Sequence, residues 1–287
     1  MVRVSGCKGN PGHKLDFGNR SSNMGKHIMN DPASNSFHAS LPGSTTGASP
    51  RITHYPPAWR GLGGLAVAVF AGGGYGRRSD HEGEGYATCL AAEGIAAFVV
   101  DYRVAPDGAR HPAMLEDAQA AIATIRRRAA EFDIDPEKLG VVGSSAGGHL
   151  AAHAMVAWAG FPGPDRLRPA FGVLCYPVIH ARGPHAHTGS MQNLLGQNPP
   201  ATALNEVAVV DRVGTETPPA FLWHTLDDPS VPVENSLDFA SALRRHGVAF
   251  ELHVYQRGGH GLGRKTALPW MTDCLRWLRE FSEQKGS

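Results

Sequence analysis

Lys138-Leu-Gly-Val-Val-Gly143-Ser-Ser145-Ala-Gly147-Gly-His-Leu-Ala-Ala-His-Ala-Met155 is the stretch from which the fold can be read. An apolar run enters a G-x-S-x-G turn and leaves as a run of small, helix-compatible residues. Residues 138–142 read as a strand and 145–158 as a helix, with Gly143 and Gly147 needed because side chains would clash in so sharp a turn. The turn lifts the Ser145 hydroxyl clear of the backbone at a helix N-terminus, where negative charge is favoured. A bare G-x-S-x-G is common by chance; one bracketed by a strand and a helix marks a candidate nucleophile.

A nucleophilic serine needs a base, and the base needs an orienting carboxylate. In this architecture the chain order is serine, acid, histidine. Downstream, Phe221-Leu-Trp-His-Thr-Leu-Asp227-Asp228-Pro-Ser-Val-Pro232 places two aspartates beyond the end of a strand. Asp228 stands four residues before Pro232, the position of the acid in D-x-x-V-P loops, and is the preferred partner; Asp227 is read as capping its loop. Tyr255-Gln-Arg-Gly-Gly-His260-Gly-Leu-Gly263 then sets a histidine in a glycine loop after the next strand. Among fifteen histidines only His260 has that setting after the last strand, and it is the expected base. His149 and His153 on the serine helix read as packing or surface residues.

The fourth element is Phe70-Ala-Gly72-Gly73-Gly74-Tyr75-Gly76, after another apolar run. Acyl transfer builds an oxyanion, and backbone N–H groups aimed at it contribute about 3 kcal/mol each. Glycines let such a backbone approach closely, and the amide of Ala146 is the expected second donor. Tyr75 directly follows these glycines, either narrowing the acyl side of a pocket or packing beneath the loop. A dinucleotide-binding reading of GGGYG with Asp101 fails because G-x-G-x-x-G needs glycine where Ser79 stands. His149 and His153 have the spacing of a zinc helix but lack the glutamate of H-E-x-x-H, and His185 and His187 in the insertion add no cysteine or carboxylate cluster. No metal is therefore expected, and the Arg126-Arg127-Arg128 run reads as a solvated helix surface.

Further strands are expected at 65–70, 95–100, 171–178, 220–224 and 250–255. Helices are expected at 79–93, 112–132, 232–246 and 269–281. Apolar strands alternating with helices imply a mostly parallel sheet covered on both faces. About 40 residues, 179–218, interrupt the rhythm as a lid-like insertion, with a short helix expected near 192–195. Residues 1–50 hold only 14 hydrophobic residues, and are expected to be a flexible tail or a loosely attached first strand ahead of a domain at 51–287.

Of 287 residues, 42% are hydrophobic, enough for a sizeable core. Lys and Arg (27) nearly balance Asp and Glu (26), which leaves no electrostatic footprint for nucleic acid or anionic lipid. Four scattered cysteines without a CxxC pair point to reduced thiols, and no apolar stretch reaches the length of a membrane span. Without a visible signal peptide a cytoplasmic location is expected, and a homo-oligomer is a compatible assembly.

Together these residues resemble the α/β-hydrolase family, in its esterase and lipase branch. GGGY is similar to the HGGG-type loop, with Ala71 in place of the usual histidine. Asp101-Tyr-Arg-Val-Ala-Pro106 is similar to the DYRLAP segment of hormone-sensitive-lipase-like esterases, and GSSAGGHLA to their nucleophile elbow. Asp80-His-Glu-Gly83, HPAMLEDAQAAI, Pro232-Val-Glu-Asn-Ser236 and GGHGLG resemble bacterial acetylxylan and feruloyl-type carbohydrate esterases. The resemblance implies an α/β-hydrolase fold and cofactor-free hydrolysis of small-molecule esters. It also implies Gly73, Gly74 and Ala146 as oxyanion donors. Short acyl esters, with acetyl groups on sugars among them, are the leading substrates. Amide hydrolysis of the aryl formamidase type and a non-enzymatic binding module are the alternatives, and the intact triad argues against the second.

Overall fold

The computed structural model describes residues 35–59, 62–160 and 167–284. Among them, eight strands form one sheet: β1 (Ser36–His38), β2 (Arg51–Tyr55), β3 (Ala66–Phe70), β4 (Ala96–Asp101), β5 (Leu139–Ser144), β6 (Gly172–Cys175), β7 (Ala220–Thr225) and β8 (Phe250–Tyr255). Their order is β1-β2-β4-β3-β5-β6-β7-β8. At one edge β1 pairs antiparallel with β2 and β2 antiparallel with β4, and the pairings from β4–β3 through β7–β8 are parallel.

The period of two along β3 explains the layers. Ala66, Ala68 and Phe70 join a core that contains α2 (Ala113–Arg127) and α4 (Ser145–Val156). Val67 and Val69 face the opposite core, with Tyr86 and Leu90 of α1 (Asp80–Ala92) and Trp270 and Leu278 of α8 (Trp270–Gln284). Strands buried on both faces are apolar throughout, which is why β3 and β5 stand out in the sequence.

Several elements depart from expectation. The helix expected over 112–132 stops at Arg127 and resumes as α3 (Ala129–Phe132). Arg128 leaves the helix and sets its guanidinium over the rings of Phe37 and Phe132, 4.0 and 4.8 Å from their centroids. The strand expected over 171–178 ends at Cys175, because Tyr176 turns to a positive φ of 37°. Of the two readings of residues 1–50, a flexible tail or a first strand, the segment 36–48 takes the second: β1 pairs with β2, and Ala39, Leu41 and Ala48 are buried. Residues 1–34 lie outside the described residues. No helix among the described residues is long and apolar enough to cross a membrane.

The insertion carries α5 (Thr188–Leu195) and α6 (Ala201–Glu206), and α7 (Glu234–Arg245) follows β7.

Candidate active site

β5 delivers Ser145 into a left-handed backbone conformation, φ 52°, at the first residue of α4. A β-carbon at Gly143 would strike the Gly147 carbonyl oxygen, and one at Gly147 would strike the carbonyl oxygen of Phe70. Both glycines are therefore required by close backbone approach, as the turn demands.

The three segments expected to supply a nucleophile, a base and an acid meet at the C-terminal ends of the parallel strands, where open α/β sheets build their sites. Ser145 Oγ lies 2.9 Å from His260 Nε2, and His260 Nδ1 lies 2.6 Å from Asp228 Oδ2. A carboxylate only accepts, so Nδ1 carries the proton and Nε2 is left to accept from the serine hydroxyl. Asp228 Oδ1 accepts from the amides of Ser230 and Val231 at 2.8 and 2.9 Å. Burial pushes the Asp228 carboxyl upward, but hydrogen bonds from His224 and His260 outweigh it and hold the group well below the usual carboxylate range. Asp227 does something different: its Oδ1 accepts from the amides of Gly258 and Gly259 at 2.8 and 3.0 Å, capping the His260 loop.

The glycine loop lies against the serine. Gly73 and Gly74 adopt φ of 124° and 64° and line, with Ser145 and His260, a cavity of about 400 Å³. Ala146 lies in the first turn of α4, so its amide has no partner within the helix. Where the usual histidine of this loop is Ala71, the Tyr102 hydroxyl donates to the Ala71 carbonyl at 2.6 Å and fixes the strand end.

Tyr75 does not line the cavity. It is fully buried, and its hydroxyl meets His149 Nδ1 at 2.7 Å. His149 Nε2 donates to the Val207 carbonyl at 2.9 Å, so the neutral ring links the glycine loop to the insertion. Burial is the main cause that lowers His149 to about 4 and His153 well below the ordinary histidine value. Both are packing residues.

Several residues at the site could not be read from the sequence. Glu82, 2% exposed, accepts from the Gly72 amide at 3.1 Å and from the Tyr176 hydroxyl at 2.6 Å. The Tyr176 oxygen in turn accepts from the Gly263 amide at 2.8 Å, so one buried carboxylate ties the glycine loop to the histidine loop. The Tyr176 ring also packs edge-on against His260, centroids 5.0 Å apart. Asn193 of α5 donates to the Gly74 carbonyl at 2.8 Å. His187, at the N-terminus of α5, lines the cavity with Arg77, His81 and Ser230. Burial and the neighbouring His260 hold the His187 ring below its ordinary value. The Asp-His-Glu-Gly motif was a signal for Glu82, although nothing in it specified the partners.

The His185–His187 pair of the insertion is divided. His187 faces the cavity beside Ser145, whereas His185 groups with His180 and with Asp238 of α7, a carboxylate invisible beside them in sequence.

A family model described as alpha/beta hydrolase fold matches residues 67–263. The chain is 37% identical to endo-1,4-beta-xylanase B of Butyrivibrio fibrisolvens over 68% of its own length and 32% of that protein. It is 32% identical to an acetylxylan esterase of Xylanibacter ruminicola, over 77% of its own length and 47% of that protein. It thus spans about a third to a half of these relatives. Among solved structures, an acetyl ester-xyloside bifunctional hydrolase from Caldicellulosiruptor lactoaceticus superposes with a TM-score of 0.77 and 39% identity. That match covers 85% of this chain and 96% of that one.

Proposed function

The chain belongs to the α/β-hydrolase fold family, and from that membership we propose that it is a serine carboxylesterase for short acyl esters, with acetylated sugars as the favoured class. The observation that carries the reading is the unbroken chain of contacts from Ser145 through His260 to Asp228. In the proposed reaction His260 Nε2 takes the Ser145 proton as Oγ attacks the ester carbon. Ionised Asp228 stabilises the resulting imidazolium. The amides of Gly73, Gly74 and Ala146 receive the oxyanion, each worth about 3 kcal/mol. His260 returns the proton to the departing alcohol, leaving an acyl-Ser145, and then activates the water that releases the acid. Side chains and backbone amides suffice for every step.

Two observations support small, polar substrates. The cavity of about 400 Å³ is lined by Arg77, His81, His187 and Ser230, groups suited to hydroxyl-rich alcohols and poor at cradling an alkyl chain. Relatives named for acetylxylan and acetyl ester hydrolysis support the acetyl assignment over the amide alternative. The test is kcat/KM against acyl length from two to twelve carbons, with acetylated xylan and an N-formyl aryl amide included. Acetate and propionate esters should be turned over far faster than octanoate. A maximum at eight carbons or more, or a preference for the amide, would contradict the proposal.

A further inference from the structure

Away from the catalytic cavity, the start of the insertion is fastened to α7 by one side chain. Asn235, fully buried, accepts at Oδ1 from the amides of Ile179 and His180 at 2.8 and 2.9 Å, and its Nδ2 donates to the His185 carbonyl at 2.9 Å. One helical turn further along α7 stands Asp238. The fastening therefore presents two imidazoles from the insertion and one carboxylate from the main fold to a common point. His180 Nε2 is 2.9 Å from Asp238 Oδ2, the His180 and His185 rings lie edge to face with centroids 5.7 Å apart, and one ligand atom from each of the three lies within 4.8 Å of the others.

We propose that His180, His185 and Asp238 bind a first-row transition-metal ion of the zinc type, which staples the insertion to α7. Imidazole nitrogen with one carboxylate oxygen is a donor set for zinc, cobalt, nickel or copper, not for magnesium or calcium, which take oxygen ligands. Metal–ligand bonds of about 2.0–2.2 Å bring tetrahedral ligands to roughly 3.3 Å from one another. The 2.9 Å His180–Asp238 separation already lies near that, and the half-exposed Asp238 carboxylate has room to adjust. The backbones carrying both histidines are held by Asn235, so little ordering remains when the ion binds. A groove of about 380 Å³ lined by His180, Ala181, Arg182 and Asp211 opens on the His180 side of this point. The nearby Arg182 cation is already paired with Asp211 at 3.0 Å. An ion here does not touch the ester-cleaving residues and holds the segment that leads to His187. The inference does not depend on the substrate proposed above.

The experiment is isothermal titration of the full, tag-free chain with zinc chloride at neutral pH, paired with the visible spectrum of the cobalt(II) form. One equivalent of zinc is expected, with a cobalt spectrum of low coordination number and no response to magnesium. Asp238→Asn should weaken zinc at least about tenfold, and His180→Ala/His185→Ala should abolish both signals while p-nitrophenyl acetate is still hydrolysed. Should the double variant fail to fold, the half-exposed Asp238→Asn decides alone. Absence of stoichiometric zinc binding in the wild type would overturn the site. So would undiminished binding in Asp238→Asn or in the double variant, since other histidines would then hold the ion.

Discussion

Ser145 holds its hydroxyl in a conformation that costs a non-glycine residue roughly 1–2 kcal/mol, and the surrounding strand and helix enforce it. The division of labour between adjacent aspartates is equally local. Asp228 faces His260, whereas Asp227 faces two loop amides. Asp228→Asn should keep the size of the side chain and remove the charge that stabilises the imidazolium, lowering kcat by about 10²-fold or more. Asp227→Asn should be much milder, because an amide oxygen can still accept from Gly258 and Gly259. Steady-state kinetics on both variants checks this, and the reverse ranking would reassign the acid. These residues were legible because chemistry restricts both their type and their place in the chain. Glu82 and Asn193 were not, since their partners Tyr176 and Gly74 are 94 and 119 residues away and no local pattern encodes such a contact. Tyr75 was legible as one of two alternatives, and burial against His149 decides for packing.

At the scale of elements, α2 anchors the chain that precedes the main domain. Glu116, 2% exposed, accepts hydrogen bonds from the hydroxyls of Ser44, Thr45 and Thr46 and from the amides of Thr45 and Thr46. Those bonds lower its carboxyl to about 2 against the opposing effect of burial. Glu116→Ala should destabilise the fold by about 2–3 kcal/mol, lowering the apparent Tm by roughly 5–10 °C in a thermal melt. An unchanged Tm would mean that the 44–46 turn is not held by this residue. The parallel strands from β3 to β7 were legible from largely apolar runs. β2 was missed because Ile52 is its single aliphatic residue and the remainder of Arg-Ile-Thr-His-Tyr belongs to a strand near a sheet edge. The break at Arg128 was missed because a helical period cannot report a guanidinium drawn onto two rings.

Across the whole molecule, buried neutral histidines set the response to acid. His149 and His153 ionise near an ordinary value of about 6.5 when unfolded, but burial lowers folded His149 to about 4 and holds folded His153 well below its ordinary value. Between those values the unfolded chain binds more protons, so stability should fall as pH drops from about 6.5 toward 4 and be fully present above it. Glu116 acts later, its contribution being lost only as pH falls from about 4.5 toward 2. Urea midpoints that stay level between pH 6.5 and 4.5 would show that these rings are not buried in neutral form. The sheet, the glycine loop and the insertion together converge on one hydroxyl, and the most direct measurement is kcat/KM for p-nitrophenyl acetate with Ser145→Ala beside the wild type. Triad members act as a unit, so the variant should lose at least roughly 10⁴-fold and no longer react with a serine-directed phosphonate. Near-normal turnover in Ser145→Ala would contradict the whole account.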